Sequence, residues 1–272
     1  EHGLAEEAIV LALILEGNQE TLYRYLQKRR AIDFTPPAIE MTSSSDRRER
    51  GAAPRVSVII SVYNAAELIP TFIRELLRQT PAVLGDTEYI FVDSHSDDGS
   101  VDVLHRLLDE AKGRGLESLL VSTPDRETIQ RAWNRGIGLS RGRYLTFLGV
   151  DETVRPDALG VLADFLDDNP NIDWAQGNVV VTEVNEQGSF VRDVMPYVRT
   201  FDMQEMHYLD SCYIGFVGAM YRRSVHERFG LYDDSFRGAG DTEFKNRVLP
   251  QIAVATIPEM LGTYLNYPTE RT

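Results

Sequence analysis

The chain has 272 residues, 43% of them hydrophobic and 26% charged, a balance that excludes a disordered or fibrous protein and leaves enough apolar material for a sizeable core. Against 28 Lys and Arg stand 42 Asp and Glu, and the resulting net charge of −14 excludes a protein that holds nucleic acid or an anionic membrane by its whole surface. The single cysteine, Cys212, excludes an internal disulfide and any zinc site built from several thiolates, and it fits a reducing compartment, so a cytoplasmic protein is expected.

The chain opens on Glu1 rather than Met, as expected of a piece of a longer protein. Its most apolar early stretch, 8–15, is too short to span a bilayer and follows Glu6 and Glu7, where a signal peptide would carry positive charge, so no transmembrane span is expected. Residues 4–15 and 19–30 are good helix formers parted by Gly17 and Asn18, which predicts a helical hairpin over 1–35. Such a hairpin is either a self-association or docking contact or the remnant of a neighbouring helical domain. Residues 36–54 turn polar, with Ser43, Ser44 and Ser45 before a charged run, and read as a linker.

From residue 55 the pattern changes. A β-branched run at 56–62 predicts a strand, and apolar spacing over 67–79 predicts a helix. Further strands are expected at 89–92, 119–122 and 144–148, with helices at 101–112 and 128–139 between them. Strands alternating with helices at this spacing imply βαβ units, a mostly parallel sheet flanked by helices, and a ligand site at the carboxyl ends of the strands. Beyond residue 174 the pattern is less regular, with apolar or alternating runs at 178–184 and 212–221 and a short helix at 241–248.

Polar clusters stand where that architecture puts chemistry. The first strand runs into Ser61, Val62, Tyr63 and Asn64; the second into Asp93, Ser94 and the stretch His95 to Ser100. Asp93 directly follows an apolar strand and is therefore held at the sheet edge, whereas Asp97, Asp98 and Ser100 read as loop and cap residues. The strand at 144–148 delivers Asp151 and Glu152 to the same edge, where either carboxylate could hold Mg²⁺ or Mn²⁺ against a diphosphate with few protein ligands.

Taken in order, VSVIISVYNAAELI, FVDSHSDDGS, RAWNRGIGLSRGRYLTFLGVDE and GLYDDSFRGAGDTEFKNR resemble the motifs of the inverting family 2 glycosyltransferases, over about residues 55–267. The resemblance implies a GT-A, Rossmann-like fold with a nucleotide-binding half (55–153) and an acceptor-binding half (154–272). It also implies transfer of a sugar from a nucleotide-diphosphate donor, UDP-sugar favoured, to a carbohydrate, lipid-linked or protein acceptor. By the same resemblance Ser61, Val62, Tyr63, Asn64, Asp93, Ser94, Arg126, Arg131 and Val150 line the nucleotide pocket. Asp151 matches the acid that binds Mn²⁺ or Mg²⁺, and Asp241 matches the general base that takes the proton of the attacking hydroxyl. Trp174 is a candidate for stacking on a sugar, and Tyr208, Asp210 and Tyr213 fall in a stretch that approaches the acceptor.

Three positions depart from the family pattern. Gly149 stands where the first acid of the metal motif is usual, Gly240 where a Glu precedes the base, and Tyr264-Leu265-Asn266-Tyr267 where a Tyr-Arg-x-His segment is common. Each removes a polar contact. The rival expectation is therefore a non-catalytic GT-A module that binds a nucleotide or a partner. A nucleotidyltransferase is disfavoured, because SVYNAAEL lacks a glycine-rich basic loop.

Overall fold

A computed structural model describes residues 53–185, 189–197, 216–236 and 240–266. The expected hairpin, most of the linker, and Tyr208, Asp210, Tyr213 and Gly238 lie outside the described residues.

Four parallel strands form one half of the sheet, β1 (Val56–Val62), β2 (Thr87–Asp93), β3 (Glu117–Ser122) and β4 (Tyr144–Phe147), in the order β3-β2-β1-β4. Burial on both faces explains their unbroken apolar runs, since β2 is buried at every position. The helices that connect them each turn an apolar stripe to the sheet. In α1 (Ile69–Leu76) the stripe is Ile69, Phe72, Ile73 and Leu76, spaced as one helical face requires. The short α2 (Pro81–Gly85) starts at Pro81 with the Thr80 hydroxyl accepting from the Val83 N–H. Behind β2 comes α3 (Ser100–Lys112), behind β3 comes α4 (Ile129–Leu139), and Thr128 caps α4 by accepting from the Arg131 N–H.

After β4 the sheet becomes mixed. A two-residue strand β5 (Thr153–Val154) is followed by α5 (Ala158–Asp168), then by β6 (Trp174–Val184), β7 (Phe190–Tyr197), β8 (Ala219–Arg222), α6 (Ser224–Phe229), α7 (Gly240–Val248) and β9 (Val254–Asn266). The order continues β4-β8-β6-β9-β5, with β7 on β6; β8 runs antiparallel to both β4 and β6, while β6 and β9 are parallel. The expected mostly parallel sheet thus holds for the first four strands, and antiparallel pairs enter with β8.

Two apolar layers cover the sheet. One packs α1, α3 and α5 against β1, β2 and β4; the other is an aromatic cluster of Trp133, Phe147, Trp174, Tyr221, Tyr232 and Phe244 beneath α7. Among the described residues no helix is long and apolar enough to cross a membrane.

Candidate active site

Register brings three loops to one edge. Val62 pairs with Asp93 at the ends of β1 and β2, and Ile59 pairs with Phe147 at the end of β4, so the segments 61–66, 93–100 and 148–152 all leave the sheet on its carboxyl side.

The first two loops are laced together. Asn64 and His95 both adopt left-handed backbone, at φ 45° and 59°, a region that costs most side chains energy and that asparagine tolerates better than most. Cross-loop bonds hold Asn64 there: its N–H donates to Ser96 Oγ at 2.9 Å, and its Oδ1 accepts from the Asp97 N–H at 3.0 Å. The Ala65 N–H donates to Ser100 Oγ and the Ala66 N–H to Asp98 Oδ2, so Asp98 and Ser100 serve the loops themselves. Desolvation works against the ionised form of Asp98, but hydrogen bonds from Ser100 and the Ala66 N–H outweigh it and hold the carboxyl below its usual range.

Asp93 ends β2 with only 1% of its surface exposed. Oδ2 accepts from the Ser96 N–H at 3.3 Å, while Oδ1 is buried without a hydrogen-bond partner. A buried carboxylate oxygen without a donor is costly, and a ligand N–H or O–H reaching it would remove that cost. Tyr63, next along the chain from the Val62 that pairs with Asp93, lies exposed with the Arg126 guanidinium 4.1 Å over its ring.

Two of the expected nucleotide-pocket residues have partners within the protein. Ser94 is buried, and its hydroxyl is committed to the Glu127 backbone, accepting from the N–H at 2.6 Å and donating to the carbonyl at 3.2 Å; it clasps the end of β2 to the loop before α4. Arg131 pairs with Glu127 at 3.1 Å and with Asp234 at 3.9 Å. Glu127 also holds Arg135 through two bonds of 2.6 Å. The sequence signal for that cluster lies in the four-residue spacing of Arg131 and Arg135 along α4, with Glu127 one step before its Thr128 cap. Val150 packs its side chain against the core below β4.

At the end of β4 two carboxylates converge on one point. A side-chain carbon built on Gly149 would sit 2.8 Å from Asp151 Oδ1 and 3.3 Å from Glu152 Cδ, so a side chain at 149 would need the Asp151 carboxylate to swing aside and Glu152 to shift slightly. Glu152 Oε2 accepts from the Gly149 N–H at 2.6 Å. Desolvation pushes the Glu152 carboxyl up to about 7, the Gly149 N–H opposes the rise, and the Asp151 charge adds to it. Two adjacent carboxylates at a strand end fit a hard divalent cation completed by water and diphosphate oxygens. Among the described residues no group of three or more metal-ligating side chains forms a self-sufficient site.

Asp241 lies in the first turn of α7, where the helix dipole favours a negative charge. Its Oδ2 is 2.8 Å from Lys245 Nζ, one turn on, and the aspartate side chain is 35% exposed while the lysine is 5% exposed. The Thr242 hydroxyl approaches Oδ1 at only 3.4 Å, so Lys245 fixes one oxygen and the other is weakly held. The i,i+4 spacing of Asp241 and Lys245 in the sequence is the local signal for this pairing. Because α4 begins at the carboxyl edge and packs its Gln130 against Gly240, Asp241 is brought to the same edge as the three loops.

Trp174 is not a sugar platform. It is fully buried as the first residue of β6 and stacks on Tyr221 at 4.4 Å and 15°. The charged helix before it and the strand after it suggested an exposed edge, but pairing with both β8 and β9 encloses it.

The profile of Glycosyl transferase family 2 matches residues 57–230. The chain belongs to that family. It is therefore a nucleotide-sugar glycosyltransferase of an inverting family. It is 28% identical over 208 residues to a PGL/p-HBAD biosynthesis glycosyltransferase of Mycobacterium bovis, covering 75% of this chain and 73% of the relative. It is 26% identical over 200 residues to the minor teichoic acid biosynthesis protein GgaA of Bacillus subtilis, covering 71% of this chain and 43% of that protein. Among solved structures, S. aureus TarS 1–349 in complex with UDP-GlcNAc superposes with a TM-score of 0.62 at 14% identity, over 79% of this chain and 60% of that one. The mannosyltransferase PcManGT from Pyrobaculum calidifontis, in complex with GDP-Man and Mn²⁺, superposes with a TM-score of 0.58 at 19% identity, over 95% of this chain and 68% of that one. These structural likenesses establish the GT-A-like fold.

Proposed function

We propose that this glycosyltransferase moves a sugar from a nucleoside-diphosphate donor, UDP-sugar favoured, to an acceptor hydroxyl by a single inverting displacement. The observation that carries the reading is the placement of Asp241: a part-exposed carboxylate, fixed by Lys245 through one oxygen, at the carboxyl edge of the sheet. That oxygen arrangement suits a general base, because the weakly held Oδ1 can accept the proton of the attacking hydroxyl while Lys245 keeps the side chain in register.

The donor is held by the laced loops. The orphan Oδ1 of Asp93 accepts a base N–H, and Tyr63 with Arg126 offers a cationic, stacked wall for the nucleotide. A divalent Mn²⁺ or Mg²⁺, when bound, supplies charge neutralisation for the departing diphosphate. Asp151 is the carboxylate that would hold it, with Glu152 beside it. The UDP-GlcNAc complex of TarS supports a uridine donor, and the GDP-Man and Mn²⁺ complex of PcManGT supports the cation.

The test is donor hydrolysis and sugar transfer over a panel of nucleotide sugars, with Mn²⁺ or Mg²⁺, for wild type and Asp241→Asn. Loss of the base should lower turnover about 100-fold or more while nucleotide binding persists. Full transfer by Asp241→Asn would overturn the base assignment. Wild-type protein that binds nucleotide yet neither hydrolyses nor transfers any donor would instead support the non-catalytic reading raised by Gly149 and Gly240.

A further inference from the structure

The amino edge of the sheet, opposite the one that carries Asp93 and Asp151, gathers arginine in a chain whose net charge is −14. Arg55 stands just before β1, Arg141 and Arg143 just before β4, and Arg222 and Arg223 where β8 gives way to α6. All five line an open cavity of about 630 Å³. The seven residues of β1 separate the two edges by about 20 Å at the rise of an extended strand, so this cavity is distinct from the nucleotide loops.

Three of the five arginines are spent on the protein. Arg55 is engaged by Asp86 at 2.9 Å, Asp164 at 2.7 Å and Asp167 at 3.0 Å, and Arg141 pairs with Glu88 and Glu117. Arg222 closes the end of α5, donating to the carbonyls of Leu166 at 2.6 Å and Asn169 at 3.1 Å, and it also reaches that of Ile172 at 2.8 Å. Arg223 is different. Among the described residues it has no carboxylate partner, and of its five guanidinium N–H donors one is used, by Nη1 on the Ser140 carbonyl at 3.0 Å. Arg143 has a single ion pair, Nη2 to Asp167 at 2.5 Å, and that carboxylate also serves Arg55 and the Tyr144 hydroxyl. Ser224 lines the same cavity, with no partner for its hydroxyl among the described residues.

Register makes this placement costly. Tyr144 pairs with Arg222 across antiparallel β4 and β8, and the Arg223 N–H donates to the Arg143 carbonyl at 2.9 Å, so two arginines with unspent donors stand on facing residues. Like charges that face each other across an antiparallel pair destabilise it, and an anion held by both reverses the sign. The lining also includes two carboxylates. Asp86 is taken up by Arg55, and Glu227, without an ion pair among the described residues, is left to accept a hydroxyl.

We propose that this cavity is a second ligand site, in which Arg143, Arg223 and Ser224 hold a phosphate group carried by a small hydroxylated molecule. Three donor side chains match the three terminal oxygens of a phosphate ester better than the two of a carboxylate, and the arginine fork suits phosphate geometry. Glu227 meets a hydroxyl of the same molecule. The site stands whether or not Asp241 is the base, because none of its residues belongs to the catalytic edge.

Calorimetric titration of the full chain with glycerol 3-phosphate and with inorganic phosphate, each with and without saturating UDP, tests it. Binding should persist when UDP fills the nucleotide loops. Arg143→Gln and Arg223→Gln should each weaken it about 10-fold or more, as expected of a lost charge-assisted hydrogen bond. Ser224→Asp puts a carboxylate into the cavity at a helix start that tolerates it, and should abolish binding with the melting temperature unchanged. Arg228→Gln removes the same charge from α6 outside the cavity lining and should bind as wild type does. Sugar transfer by Arg143→Gln should match wild type. Binding that UDP abolishes while Arg143→Gln and Arg223→Gln bind as tightly as wild type would place the phosphate at the other edge and overturn the proposal. Equal weakening in Arg228→Gln, or no measurable binding of either compound, would overturn it as well.

Discussion

His226 offers a measurement in which the structure sets both sign and size. The ring lies in α6 at 7% exposure, with Phe244 stacked on it at 5.0 Å. The Gly230 carbonyl can only accept, so Nδ1–H donates to it at 3.0 Å, and Nε2 then accepts from the Tyr221 hydroxyl at 2.8 Å. The second bond requires a neutral ring, whereas the first is kept when the ring is protonated. Burial is the main cause that lowers its pKa from 6.5 to about 4; the bond to Gly230 opposes the shift, and the Arg247 charge adds to it. Above pH 6.5 neither the folded nor the unfolded histidine is charged, and the neutral ring contributes in full. As pH falls from 6.5 to about 4, the unfolded chain binds a proton that the folded chain refuses, so stability drops, by about 3 kcal/mol over that window. His226→Phe removes this titration and adds a fixed penalty of about 1–3 kcal/mol for the Tyr221 hydroxyl, which keeps only the Tyr232 hydroxyl at 3.2 Å. Urea unfolding of both proteins at half-unit steps from pH 7.5 to 4 should show the wild-type advantage shrinking steadily, and even inverting, while other titrations cancel. A difference that stays constant to within about 0.5 kcal/mol across the range would refute the reasoning.

Glu152 tests the opposite sign. Its carboxyl is pushed from 4.5 to about 7, so the folded state holds that proton more tightly and loses stability as pH rises through that window; Glu152→Gln should melt higher than wild type at pH 8 and equally at pH 4.5. With two carboxylates at the end of β4 and no larger cluster among the described residues, calorimetry should find weak Mn²⁺ binding to the free protein and much tighter binding with a nucleoside diphosphate present; tight binding to the free protein would contradict this. Trp174→Ala should cost about 3–5 kcal/mol in urea unfolding, as expected of an enclosed core aromatic, and a raised acceptor KM with unchanged stability would restore its role as a sugar platform.

The parallel half of the molecule was legible because its strands are buried on both faces and its helices on one. The run at 56–62 coincides with β1, and the helix expected at 128–139 differs from α4 by one residue at its start. The positions of Asp93 and Asp151 at the sheet edge were legible for the same reason: one ends and the other follows an apolar strand, and the end of a parallel strand lies at the carboxyl edge whatever its neighbours do. Trp174 was misread because enclosure is set by β8 and β9, which are distant in sequence and pair with it from both sides. The bonding of the Ser94 hydroxyl is not legible in the sequence, because its partner, the Glu127 backbone, comes from the next connection.

The sequence by itself determined the alternation of strand and helix, the acidic character of the ligand edge, and the ordered motifs that mark the family, because hydrophobic period and strand-end chemistry are local properties. Only the tertiary structure decided which loops lace together, that Asp151 and Glu152 fill the space beside Gly149, and that Gln130 fills the space beside Gly240. Those are contacts between segments far apart along the chain, and their occurrence depends on how whole elements pack, which no local pattern encodes.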